Sequence, residues 1–154
     1  MNENKEVIKK FYTAFQNKDY ETMQHMYADN AVFSDEVFVD LNAKQVRAMW
    51  EMLIKRGTDM KLEFKNVHVV DDVGSAEWMA TYTFSSTGRK VINRIKANFI
   101  FENGKIISHT DAFSFPLWAK QALGFKGLLL GRTNFLRNKV QATAMKNLED
   151  FMKK

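Results

Sequence analysis

The sequence predicts an α+β domain in which helices pack on one face of a curved antiparallel sheet. Three observations carry this. Apolar residues recur at helical spacing through the first 57 positions, the period then drops to two, and short turns punctuate the alternating stretch up to Phe115. Strands joined by such short turns must be antiparallel neighbours, and an amphipathic helix must bury its stripe against the sheet they form.

Asn2–Asn17 reads as a helix, with Ile8, Phe11, Tyr12 and Phe15 on one face. Asp19 caps a short second helix through about Tyr27, with Met23, Met26 and Tyr27 on its apolar side. Ala31–Asp35 follows as a strand with Phe33 and Asp35 inward. Asn42 caps a third helix whose stripe is Val46, Met49, Trp50, Leu53 and Ile54, ending at Gly57. Met60–Asp71 alternates with one slip of parity near Lys65–Asn66, which predicts a bulge. Ala76–Ser86 places Trp78 and Tyr82 inward, and Lys90–Phe101 follows the Thr87-Gly88 turn.

The last strand, KIISHTDAFSF (Lys105–Phe115), holds the most chemistry. Alternation puts Ile107, His109, Asp111, Phe113 and Phe115 on one face, with His109 and Asp111 roughly 7 Å apart along the strand. A buried carboxylate must be paired, hydrogen-bonded or open to a cavity. A three-residue Glu102-Asn103-Gly104 loop would pair Phe101 with Lys105 and Ala97 with His109. That keeps the apolar faces of both strands together, whereas a plain two-residue Asn-Gly turn would separate them.

Composition bounds the function. At 154 residues, with 45% apolar and 27% charged residues, the chain is expected to be a single domain. It shows neither a leader pattern nor a long apolar run, so a cytoplasmic protein without membrane insertion is expected. Zero cysteines exclude disulfides and thiolate chemistry; no phosphate loop or ligand cluster is present, so no metal and no cofactor is expected. Of the net charge of +5, about +6 lies in residues 116–154, without a recognition module for nucleic acid. That segment also carries Leu117, Trp118, Leu123, Phe125, Leu128, Leu129 and Leu130, and a final helix from about Thr133. Its possible uses are, in order of preference, a lid, a dimer contact or association with a membrane surface.

The run VIKKFYTAFQNKDYETMQHMYADNAVFSDEVF, then a helix and four strands ending in HTDAFSF, resembles the nuclear-transport-factor-2-like superfamily. More narrowly, it is similar to ketosteroid isomerases and polyketide cyclases of the SnoaL type. The resemblance covers roughly Glu6 to Phe115. It implies a cone-shaped curved antiparallel sheet wrapped around the N-terminal helices, with residues 116–154 as a helical extension, an apolar pocket inside, and a homodimer. It places the isomerase base on Asp35 and the cyclase acid–base group on Asp111. The isomerase oxyanion donors fall on Phe11 and Ala97, neither of which can donate, so steroid isomerisation is not expected.

Asp111, His109 and Asp35 are thus the catalytic candidates. Trp78, Tyr82, Phe99, Phe113, Phe15, Phe33 and Trp50 are candidate walls for a small apolar organic ligand. Tyr12 is a conceivable replacement donor, about 100° round the helix from Phe11. The expected function is a cofactor-independent isomerase, cyclase or hydratase acting on a small carbonyl compound; a carrier or sensor of an apolar ligand, and a protein-interaction module, are the alternatives.

Overall fold

The computed structural model describes residues 3–154. The helical start builds α1 (Glu3–Gln16), α2 (Tyr20–His25) and α3 (Ala43–Arg56). The predicted first residue of α1, Asn2, lies outside the described residues. Asp19 caps α2 by accepting from the Thr22 N–H. Asn42 and Gln45 form a reciprocal capping box at the start of α3, and Gly57 closes its end by donating to the Leu53 carbonyl. Ile8, Phe11, Tyr12 and Phe15 on α1 and Val46, Met49, Trp50 and Ile54 on α3 are buried, as their spacing predicts, but Leu53 of the same expected stripe is exposed on the outer side of α3.

Among the described residues one six-stranded sheet forms from β1 (Tyr27–Ser34), β2 (Leu41–Asn42), β3 (Lys61–Val70), β4 (Val73–Phe84), β5 (Arg89–Glu102) and β6 (Lys105–Ala112). Its order is β2-β1-β6-β5-β4-β3. β3 to β6 are antiparallel, but β1 joins β6 in parallel, so the sheet is mixed where a purely antiparallel one was expected. The expected slip in β3 is present, between Lys65 and His68, with Asn66 left-handed at φ 56°.

The β5–β6 hairpin corrects one expectation while keeping its consequence. Glu102 pairs with Lys105, so the turn is the two-residue Asn103-Gly104, both at positive φ as a type I′ turn requires. Phe101 then pairs with Ile106, not Lys105, and Ile100 with Ser108, leaving Ile107 as an extra residue in a bulge. Ile107 is therefore turned away from the inner face on which alternation placed it. Beyond the bulge Phe99 faces His109 and Ala97 faces Asp111. The turn takes the residues that favour it, and the bulge restores the apolar register.

The chain after β6 forms α4 (Phe115–Leu123), α5 (Phe125–Leu130) and α6 (Asn134–Met152). Ser114 caps α4 with Pro116 in its first turn, so Phe115 opens a helix and is not an inner strand residue. Phe115, Trp118, Ala119, Ala122 and Leu136 pack with Val91 of β5 in a second apolar cluster, which also meets Tyr82 and Phe113. Further along α6, Leu148 joins the main core between sheet and N-terminal helices. Among the described residues no helix is long and apolar enough to cross a membrane.

Candidate active site

Four side chains from three distant parts of the sequence form one buried chain of hydrogen bonds. Trp50 on α3 donates from Nε1 to the Tyr27 hydroxyl at 2.9 Å. Tyr27, the first residue of β1, lies 2.8 Å from Nδ1 of His109. His109 Nε2 lies 2.9 Å from Asp111 Oδ1. An indole can only donate and a carboxylate can only accept. The assignment that leaves no proton without an acceptor therefore runs one way: Trp50 to Tyr27, Tyr27 to Nδ1, and Nε2–H to Asp111.

The series sits in an aromatic shell. His109 is fully buried, with Phe33 at 4.9 Å, Phe99 at 4.2 Å and Phe11 at 5.7 Å between ring centroids, and the Trp50 ring stacked at 6.3 Å. These rings occupy the space beside the imidazole, and Tyr27 and Asp111 engage both its nitrogens.

Among the described residues two buried donors have no hydrogen-bond partner: the Tyr12 hydroxyl and Trp78 Nε1. Their rings are neighbours, with centroids 5.9 Å apart. Burial, then the nearby Asp111 carboxylate, push the Tyr12 phenol well above its ordinary pKa. An unpaired buried polar group costs about 1–3 kcal/mol, and the fold keeps these two in neighbouring rings. Beside Asp111 the sheet is lined by small residues, Ala97 directly across and Ala76 beyond it. Phe11, at the isomerase donor position, packs only as a ring, while Tyr12, one position on, carries the unpartnered hydroxyl.

Asp35 directly follows β1, whose Phe33 pairs with His109 and Ser34 with Thr110, and this brings Asp35 toward Asp111. Its Oδ1 accepts from the Val37 and Phe38 N–H groups at 2.7 and 2.6 Å. Burial raises its pKa to about 7; the two backbone bonds oppose that shift, and the charges of Asp111 and Glu36 add to it. Below the ordinary value near 3.8 both folded and unfolded chains hold this proton, and between there and about 7 only the folded chain does. Stability from protonated Asp35 is therefore fully present at low pH and lost as pH rises through 7. Asp35→Asn keeps the Oδ1 acceptor and removes the charge. It is expected to stabilise the protein by on the order of 1–3 kcal/mol at pH 8, the gain vanishing toward pH 4. Urea unfolding of both proteins across that range measures it, and a pH-independent difference would contradict the assignment.

The remaining wall residues divide into two groups. Phe15, Phe33, Trp50, Trp78 and Phe99 share the main core, whereas Tyr82 and Phe113 stand half-buried at the wide end. The Tyr82 hydroxyl accepts from Trp118 Nε1 at 2.8 Å, and burial raises its pKa. Over the same end α6 clasps the loop after β1: Arg137 bonds Glu36 at 2.8 Å and lies over the Phe115 ring, and Gln141 donates to the Glu36 carbonyl. A cleft of about 330 Å³ remains there, lined by Val37, Val39, Asn138, Gln141, Ala142 and Met145. A larger groove, about 660 Å³, lies on the outer side between α2, β1 and β6 and includes His25, Arg47 and Lys105. Neither of these two lies in the deep interior, where the rings of Phe11, Phe33, Trp50 and Phe99 surround His109. Among the described residues, no cluster of three or more His, Asp or Glu is arranged to hold a metal ion.

Tyr27 is the residue that sequence reading missed. Helical spacing assigned it to the apolar side of α2, but α2 ends at His25 and Tyr27 starts β1. The available signal was Asp29-Asn30 two residues after it, poor helix formers that argue for ending the helix earlier.

Comparison with known proteins agrees with this architecture. The model of the SnoaL-like domain matches residues 8–109. Among solved structures, an LEH-like epoxide hydrolase of M. tuberculosis superposes with a TM-score of 0.64 at 18% identity, over 83% of this chain and 93% of its own. IdmH of Streptomyces antibioticus, a candidate polyketide cyclase, gives 0.64 at 17% identity, over 78% and 98%. AclR of Streptomyces galilaeus, a candidate hydroxylase, gives 0.65 at 18% identity, over 83% and 97%. At these identities the likeness is one of fold. No curated protein matches the sequence. With its family model spanning about two thirds of the residues, this chain belongs to the SnoaL-like family of the nuclear-transport-factor-2-like superfamily.

Proposed function

We propose that the protein is a cofactor-independent acid–base catalyst acting on a small, mainly apolar carbonyl compound. One observation carries the reading: a buried hydrogen-bond series ends on Asp111, with two unpartnered donors, Tyr12 and Trp78, in the same aromatic interior. In this reading Asp111 removes a proton from the carbon beside the carbonyl and returns it at another atom. Tyr12 and Trp78 donate to the oxygen on which negative charge develops, a role in which such donors are each worth roughly 10²–10³ in rate. Asp35, with a pKa near neutrality, is the second proton carrier at the wide end. His109 acts as a positioning residue: it holds the Asp111 carboxylate in place. Substrate enters beside the loop after β1, which requires α6 to release Glu36.

Isomerase, cyclase and hydratase reactions all share that first proton transfer, so it is the step to test. The protein is incubated in D2O with a panel of small apolar ketones and 1,3-diketones, and deuterium at the α-carbon is followed by NMR. Incorporation above the buffer rate, saturating with protein-bound ketone, is expected. The aromatic lining favours a second reading, a carrier of an apolar ligand. That reading predicts binding shifts across the panel with no exchange, a result that would displace the catalytic one.

A further inference from the structure

α5 is packed inside out. Gly127 faces α4 so closely that a Cβ there would meet the Ala119 carbonyl oxygen at 1.9 Å, and Gly131 at its end approaches Pro116. The helix therefore docks through its glycines, and the opposite side, Phe125, Leu128 and Leu129, projects outward. Phe125 is 73% exposed and Leu129 63%; Leu117 on α4 and Phe135 at the start of α6, the latter 67% exposed, add to the apolar surface. Isolated apolar residues on a surface are ordinary, but five large ones within nineteen residues of one helical cap are not.

Charge identifies the occupant. From Pro116 to Leu148 the chain has no acidic residue. The exposed cations Lys120, Lys126, Arg132 and Lys139 are interspersed with the apolar side chains: Lys120 lies one turn from Leu117, Lys126 beside Phe125, and Lys139 one turn from Phe135. Among the described residues none of the four is held in an ion pair. A second copy pairing through this face by a two-fold axis would set the same cations against one another. An apolar centre with a rim of one positive sign instead complements an anionic lipid surface, where side chains enter the headgroup boundary and lysines meet phosphates.

We propose that α5 and its flanks are a peripheral docking site for anionic bilayers, lying on the membrane without crossing it. The test is co-sedimentation of the full chain with vesicles of phosphatidylcholine alone and of 7:3 phosphatidylcholine:phosphatidylglycerol. Binding to the anionic vesicles is expected, at least about 10-fold weaker on neutral vesicles and weakened by raised salt. Phe125→Asp/Leu129→Asp should lose at least about 10-fold in binding with an unchanged melting temperature, because both side chains already lie in water. Lys120→Glu/Lys126→Glu, a second exposed pair, should do the same. Folded wild-type protein that ignores anionic vesicles overturns the proposal, as does binding that survives both double variants. A concentration-dependent dimer in sedimentation equilibrium, abolished by Phe125→Asp/Leu129→Asp, would also overturn it and assign the face to a second copy.

Discussion

Asp111→Asn is expected to lower the rate of α-carbon exchange by roughly 10²–10⁴, the share that a positioned acid–base group supplies. The substitution is conservative in geometry. The Asn Oδ1 can still accept from His109 Nε2, so the series from Trp50 through Tyr27 remains intact and the shell around the imidazole need not move. What disappears is the carboxylate that takes the proton. Thermal unfolding and ligand binding should therefore change little while exchange is lost. The combination matters, because a merely structural Asp111 would show the reverse: altered stability and no rate to lose. Exchange that persists at the wild-type rate in a folded Asp111→Asn protein would remove Asp111 from the chemistry and leave Asp35 as the acid–base group to test.

Tyr27→Phe is expected to produce the largest stability loss among single-atom changes in the site. The ring would stay in its place against Phe11 and His109, so packing is nearly conserved. Removing the hydroxyl, however, strands two buried groups at once, Trp50 Nε1 and His109 Nδ1. Each unsatisfied group costs about 1–3 kcal/mol, so a loss of roughly 2–5 kcal/mol follows. For a chain of this size that lowers the melting temperature by about 5–15 °C. Chemical denaturation gives the free energy directly, and a change below about 1 kcal/mol would mean that the phenol does not hold the imidazole. Free His109 also loosens the Asp111 carboxylate, so exchange should fall less than in Asp111→Asn but measurably.

The sequence disclosed those parts of the molecule that repeat a simple period. Helix stripes, caps at Asp19 and Asn42, the Gly57 stop and the slip near Lys65–Asn66 were all readable, because each depends on neighbours a few positions away. His109 and Asp111 were placed inward by alternation, although the hairpin loop inferred for them was wrong. Two local rules competed there, turn chemistry and facial pattern, and a bulge satisfied both. Tyr27 was hidden because its role depends on partners 23 and 82 positions away. The orientation of α5 was equally opaque. Its leucines fit a lid, a dimer contact or a membrane surface until the close approach of Gly127 to Ala119 shows which side is turned to the protein.

That single bulge at Ile107 makes the site sensitive to chain length in a way that it is not to composition. A strand has only two faces, and the extra residue is what sets His109 opposite Phe99: a one-residue deletion here would only remove the bulge, whereas a one-residue insertion between the bulge and His109 would exchange inside for outside for the acid. Substitutions of Ile107 itself, half-buried and turned away from the interior, should be absorbed with little effect. Among related chains, a one-residue insertion in this short interval would thus act as an all-or-none switch, separating those that can present an acid to the interior from those that keep the same architecture without it.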